Sequence, residues 1–184
     1  MKKVYAWSFL ISLIIFISPI NGETDVAFIE ELSPSDSSKV WYDNWDEGMA
    51  AAKKEKKPVL VDFISDHCSA CVSMDKHTFS APEIRERLTA DWVCIKVNTF
   101  HSQKSGTFDG KVMNYLKLSK YFRIVGVPTF IFFDKEGKPV QSLVGCKDKE
   151  LFGHILDYMK DEAYKKGISF KEYRENKSSK DNSG

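Results

Sequence analysis

Trp41, Trp45, Met49 and Ala52 recur along the chain at spacings of four, four and three, with lysines on the opposite side and Pro58 just beyond. That period predicts an amphipathic helix that begins near Asp43 or Asn44 and is stopped by the proline. The pattern then changes. "PVLVDFI" (58–64) is a nearly continuous apolar run rich in β-branched residues, as expected of a strand covered on both faces. A helix is expected to start around Ser65–Cys68 and to run through "CVSMDKHTF". "SAPEIRERL" follows, with Ser80 and Glu83 in the spacing of a capping box. "WVCIKVN" (92–98) reads as a second buried strand, and the polar stretch 99–110 as a surface excursion.

"KVMNYLKLSKYF" offers Val112, Tyr115, Leu116, Ser119 and Phe122 as one helix face that ends before Gly126. "TFIFF" and "PVQSLV" flank "DKEGK", whose Gly137 suits the turn of an antiparallel pair. Leu151, Phe152, Ile155, Leu156 and Met159 stripe a last helix. The tail is expected to add one capped turn at Ser169 and then fray. Strands separated by helices pair in parallel, and the closing hairpin adds antiparallel strands. The expected fold class is α/β, with a mixed central β-sheet flanked by helices on both faces. The chain of 184 residues, 42% of them hydrophobic, is long enough to bury the core of one such domain.

The first 22 residues are of another kind: a basic start at Lys2 and Lys3, an apolar run of about fifteen and a polar exit. This is the layout of a secretory signal peptide, with cleavage expected after Gly22. The alternative is an uncleaved anchor, for which the run is short of the roughly 20 residues a spanning helix needs. Residues 23–39 read as a flexible lead-in, 40–166 as the folded domain and 167–184 as a partly disordered extension. Without Lys2 and Lys3 the balance is 25 basic against 26 acidic residues, which gives no electrostatic footprint for nucleic acid. Export would place the four cysteines where disulfides form and persist.

Cys68 and Cys71 stand three apart at the junction of the first strand's end with a helix start. Unpaired amides there favour a thiolate, the attacking species in disulfide exchange. Cys68 is then the exposed nucleophile, and Cys71, one turn in, the shielded resolving thiol. Asp62, inside the apolar strand, is expected to be buried with its neutral form favoured, able to exchange a proton with Cys71; the plainer reading is a strand-end acid reaching solvent. A zinc site would want a second pair or spaced histidines, and His67, His77, His101 and His154 lack that spacing. No metal is expected. Cys94, in mid-strand, reads as core.

"PVLVDFISDHCSAC", "GVPTFIFF" and "SLVGC" together resemble the thioredoxin superfamily. More narrowly, "KKPVLVDFISDHCSACVSMDKHTFSAPEI" with "FRIVGVPTFIFFDKEGK" is similar to periplasmic thiol–disulfide reductase domains, such as the C-terminal domain of the disulfide-interchange reductase and sulfur-oxidation-associated thioredoxins. The similarity spans roughly 40–165. It implies the thioredoxin fold, Cys68 as nucleophile, Cys71 as resolving cysteine, Asp62 as the buried acid and Lys96 as its neighbour. It also implies a cis bond before Pro128, a substrate groove formed by Val127, Pro128 and Thr129, and Cys146 at that groove's border. A Cys94–Cys146 disulfide is not expected, because this fold sets those strands apart.

Two features depart from the family pattern. His67 replaces the usual tryptophan, and its imidazolium could stabilise the Cys68 thiolate. Ser69-Ala70 replaces the usual dipeptide, which influences the redox poise. The resemblance implies a periplasmic monomer that reduces disulfides of exported proteins. It would need no cofactor beyond the Cys68–Cys71 disulfide and would draw on a membrane thiol electron donor. The absence of an endoplasmic-reticulum retention signal in "DNSG" favours the periplasm. An oxidant or isomerase using the same site, and a binding module without turnover, remain the alternatives.

Overall fold

Asn44 opens the first helix by accepting the Glu47 amide on its side-chain oxygen at 3.1 Å, in the computed structural model that describes residues 40–181. The leader and lead-in expected over 1–39 lie outside the described residues. This helix, α1 (Trp45–Glu55), follows a short strand β1 (Trp41–Tyr42). It carries Asp46 and Glu47 in its first turn and Lys53 and Lys54 in its last, the charge order the helix dipole favours. Trp41 therefore belongs to a strand, and the helical stripe starts at Trp45.

The remaining elements of the main sheet are β2 (Val59–Ile64), β3 (Val93–Asn98), β6 (Thr129–Phe133) and β7 (Pro139–Val144). The order is β1-β3-β2-β6-β7, with β1 and β2 parallel to β3, β6 antiparallel to β2, and β7 antiparallel to β6. Strand alternation separates two apolar layers. Leu60, Cys94, Phe130 and Phe132 face Ile84 and Leu88 of α3 (Pro82–Asp91) and Phe152 and Leu156 of α5 (Lys149–Lys160). Val61, Phe63, Ile95, Val97, Ile131 and Phe133 face Trp45 and Ala52 of α1 and Tyr115 and Leu118 of α4 (Tyr115–Tyr121). Cover on both faces explains why β2 is apolar almost throughout. Asp62, on the Leu60 side, is the one charged side chain buried in the core among the described residues.

Three sequence expectations are corrected. Residues 99–110 are not merely a surface excursion, and the helix does not include 111–114. The chain forms a hairpin of β4 (Ser105–Phe108) and β5 (Lys111–Asn114), closed by Asp109 and Gly110, both at positive φ (51° and 69°). An Asp-Gly pair supplies that turn at little strain, and Asn114 then caps α4 by accepting the Lys117 amide at 2.9 Å. Val112 is accordingly 74% exposed, not on a buried helix face. The Ser80–Glu83 capping box does not form. Pro82 sets the first helical position of α3, and the Ser80 hydroxyl donates to the Lys76 carbonyl.

The tail does not fray after one turn. Ser169 accepts the Glu172 amide, as a cap should, but α6 then runs Phe170–Asp181. Phe170 and Tyr173 each lie 5.4 Å from the Tyr158 ring of α5, the Tyr173 hydroxyl donates to Asp161, and Lys177 pairs with Asp157. Packing against α5, more than helix propensity, is what sustains such a polar helix.

The hairpin is anchored in the core. The Trp45 indole N–H donates to the Thr107 carbonyl at 3.0 Å, Asp46 accepts the Thr107 amide at 2.7 Å, and Phe108, Phe122 and Phe133 surround the Trp45 ring. A β-carbon on Gly106 would lie 2.4 Å from Trp45 Cγ. Hemmed in, the indole has no room to yield. Gly106→Ala is expected to destabilise the protein by about 2 kcal/mol through overpacking, read as a lowered urea midpoint at unchanged slope; an unchanged midpoint would contradict the packing.

Candidate active site

β2 leaves the sheet at Ile64, and the turn Ser65–His67 delivers the chain to α2 (Ser69–Met74), which continues as a wider π turn over Asp75–Phe79. Cys68 is itself the N-cap of α2. Its amide donates to the Ser65 carbonyl at 3.2 Å, and its sulfur accepts the Cys71 amide at 3.0 Å. Cys68 and Cys71 form a disulfide, with their Cα atoms 5.2 Å apart. The amide aimed at Cys68 Sγ is the kind of donor that stabilises a thiolate at that atom. One expectation is corrected here. Cys68 and Cys71 are 8% and 6% exposed, so in the disulfide form the nucleophile is scarcely more accessible than its partner, because the bond draws both sulfurs against the protein. His67 and Ser69 are exposed and Ala70 is half-buried; His67 makes no hydrogen bond or ion pair with the described residues.

The turn is held from β3. Asn98 donates to Asp66 at 2.6 Å and accepts the Phe100 amide, His101 Nε2 lies 3.4 Å from the other Asp66 oxygen, and Thr99 binds the Ile64 carbonyl through both amide and hydroxyl. Asp66 and Asn98 were not singled out from sequence, and His101 was considered there only as a zinc ligand. Their signal is topological: β2 and β3 end side by side, with Ile64 opposite Asn98.

The Val127–Pro128 bond is cis, and the Pro128 carbonyl accepts the Gly145 amide at 2.8 Å. The next residues are pinned to the helix that carries the cysteines, since the Lys147 amide meets Met74 Sδ at 3.1 Å and its carbonyl accepts the Thr78 hydroxyl. This brings the 145–147 segment alongside the cis-proline, with Cys146 exposed and unbonded. Thr129 does not open to a substrate: it is buried, and its hydroxyl closes a turn onto the Gly126 carbonyl at 2.7 Å. Cys94 is a buried free thiol, and burial pushes its pKa up.

Asp62 is 1% exposed, and its Oδ1 has no hydrogen-bond partner. Burial pushes its carboxyl up to about 8, against the opposing pull of Lys96 and with a smaller push from Asp75. Lys96 sits directly opposite Asp62 on β3, yet its ammonium hydrogen-bonds Asp75 rather than Asp62, 5.0 Å above the centre of the Trp41 ring. Asp75, four residues past Cys71, was missed in sequence, although that spacing puts it on the same helix face. Among the described residues no group of three or more histidine, cysteine or acidic side chains gathers to hold a metal.

Residues 45–160 match the thioredoxin-like domain family. The chain belongs to that family. This thioredoxin-like domain is 32% identical over 111 residues to the thiol:disulfide interchange protein DsbD of Escherichia coli K12; the match takes in 59% of the chain and 18% of that protein's length. A thioredoxin from Thermus thermophilus superposes with TM-score 0.53 and 27% identity over 65% of the chain and 85% of its own. A thioredoxin-fold protein from Helicobacter pylori gives 0.57 and 19% over 77% and 85%. A thioredoxin-like domain with this Cys-x-x-Cys disulfide at a helix start is a thiol–disulfide oxidoreductase.

The buried acid makes stability depend on pH with a definite sign. Between about pH 4 and pH 8 the unfolded chain has lost the Asp62 proton while the folded chain keeps it, so the native state binds more protons and its stability falls as pH rises. Asp62→Asn removes that dependence. The stability of the oxidised variant minus that of wild type is expected to grow from pH 5 to pH 8 by at least about 2 kcal/mol, each pKa unit being worth about 1.4 kcal/mol. Urea unfolding at both pH values checks it; a constant difference would mean that Asp62 ionises in the folded protein as it does in water.

Proposed function

We propose that the protein is exported to the periplasm and acts there as a reductant of disulfides in exported proteins. The observation that carries the site chemistry is the Cys71 amide directed onto Cys68 Sγ. In the reduced protein that donor favours the Cys68 thiolate, which attacks one sulfur of a substrate disulfide and expels the other as a thiolate. A mixed disulfide between Cys68 and substrate results. Cys71 then gives up its proton, for which Asp62, with a carboxyl near pH 8, is the acceptor on the side of the sheet that α2 covers. Its thiolate attacks Cys68 Sγ and releases the second substrate thiol. Two electrons have moved from the Cys68–Cys71 dithiol to the substrate, leaving the intramolecular disulfide.

That balance requires no organic cofactor or metal, and it requires resupply by a second dithiol. A membrane-held dithiol donor fits an oxidising compartment. The reductive direction is supported by the similarity to DsbD. The exported location is supported by the basic-apolar-polar pattern of residues 1–22. Val127 and Pro128, beside the end of β2, are the substrate-docking edge of this reading, and Cys146 borders it.

Two measurements decide. Equilibration of the Cys68–Cys71 pair with thiol buffers is expected to give a potential near about −270 mV or moderately above, whereas a value approaching about −120 mV would make the protein an oxidant. Wild type is expected to reduce insulin disulfides in the presence of a thiol donor and Cys68→Ser to lose that activity. Equal rates would leave a binding module without turnover.

A further inference from the structure

A second apolar feature adjoins the redox site on the β3 and α4 side. Phe100 is 72% exposed and Val125 92% exposed, unusual for side chains of that size. They flank a groove of about 240 Å³ floored by Leu116 and Ile124 and ending at Val127, the residue of the cis peptide. The groove is continuous with the docking edge. Gly126 has no neighbour within 4 Å of where a β-carbon would stand, so the passage between groove and cis-proline is open.

The chemistry of the lining specifies what can sit there. Its hydroxyls are already committed: Ser119 donates to the Tyr115 carbonyl at 2.7 Å and Thr99 to the Ile64 carbonyl at 3.1 Å. The Phe100 amide donates to Asn98. What remains for an occupant is apolar surface, with the exposed Lys120 at the rim. The volume is below the roughly 300–1,000 Å³ of sites that enclose a small molecule or cofactor. It suits a single large side chain. An extended peptide laid along Val127 advances about 3.3 Å per residue with side chains alternating, so a residue flanking the substrate cysteine comes within reach of the groove.

We propose that this groove is a specificity pocket for one large apolar side chain, such as leucine or phenylalanine, close to the disulfide cysteine of a polypeptide substrate. The proposal rests on the reductase reading and names the substrate class within it. The occupant is a polypeptide substrate rather than a second copy of the chain, because the groove runs directly into the edge at which substrate sulfur must arrive.

The test uses two disulfide-bridged peptides that differ only in carrying leucine or serine at the positions flanking the cysteines. Their single-turnover reduction by pre-reduced protein is followed as a second-order rate constant. Wild type is expected to favour the leucine peptide by about tenfold, the order a hydrophobic pocket achieves. Val125→Asp and Phe100→Asp, at positions exposed enough to leave folding intact by circular dichroism, are expected to bring that ratio to within about twofold. The reduction potential should stay at the wild-type value, a readout that damage to the cysteine pair would move. Val112→Asp, on the exposed face of β5, serves as the control and keeps the preference.

Reduction of both peptides at equal rates by wild type would overturn the pocket and leave the reductase reading standing. So would a preference that survives both substitutions. A wild-type dimer in sedimentation that Val125→Asp makes monomeric would assign the groove to a second copy instead. Reduction of neither peptide would remove the reductase reading, and this inference with it.

Discussion

Everything at the active end of the molecule hangs on β2 being locked from four directions. It is hydrogen-bonded to β3 on one edge and β6 on the other, and α-helices cover both of its faces. A strand held this way cannot slip by one residue without turning Leu60 and Asp62 to the other layer and Val61 and Phe63 to theirs. The turn that follows thus starts from a fixed point. Cys68 becomes a helix cap by construction, and the cis-proline, entering β6 beside the same strand end, is fixed in the same frame.

The same lock isolates a carboxyl from water and makes its charge costly. The lysine opposite could have relieved that cost, yet its ammonium turns outward to Asp75 and lies over an aromatic ring. Two acids and one cation thus share the layer beneath the cysteine helix, with the buried acid left neutral over most of the physiological range. This is an arrangement for storing a proton close to the dithiol, not for stabilising the fold.

Much of the architecture could be read from the chain because it is written in long patterns. The apolar runs of β2, β3 and β6 and the stripe of α5 each span enough residues to fix their period, and the cysteine pair fell at the strand–helix junction they imply. The hairpin was lost because Val112, Tyr115, Leu116 and Ser119 also satisfy helical spacing; Asp109-Gly110 was the competing signal, and turn chemistry outranked periodicity there. Ser80 lost its capping role to its neighbour Pro82. α6 was underestimated because its support comes from Tyr158 and Asp157 on another helix, contacts that no local window contains. Asp66, Asn98 and Asp75 escaped for a similar reason: each matters through a partner from a different element. Lys96 was found as a neighbour of Asp62, but its actual partner was not.

The third sulfur in the folded domain tells a further story. Cys94 lies in β3 opposite Leu60, sealed between sheet and helices, with its proton held tightly by burial. A thiol that neither ionises nor meets solvent cannot enter exchange with the disulfide one element away. The domain can thus be charged and discharged many times without its electrons straying into a wrong internal pairing. By sequestering one of its own cysteines, the core acts as insulation around a two-electron battery.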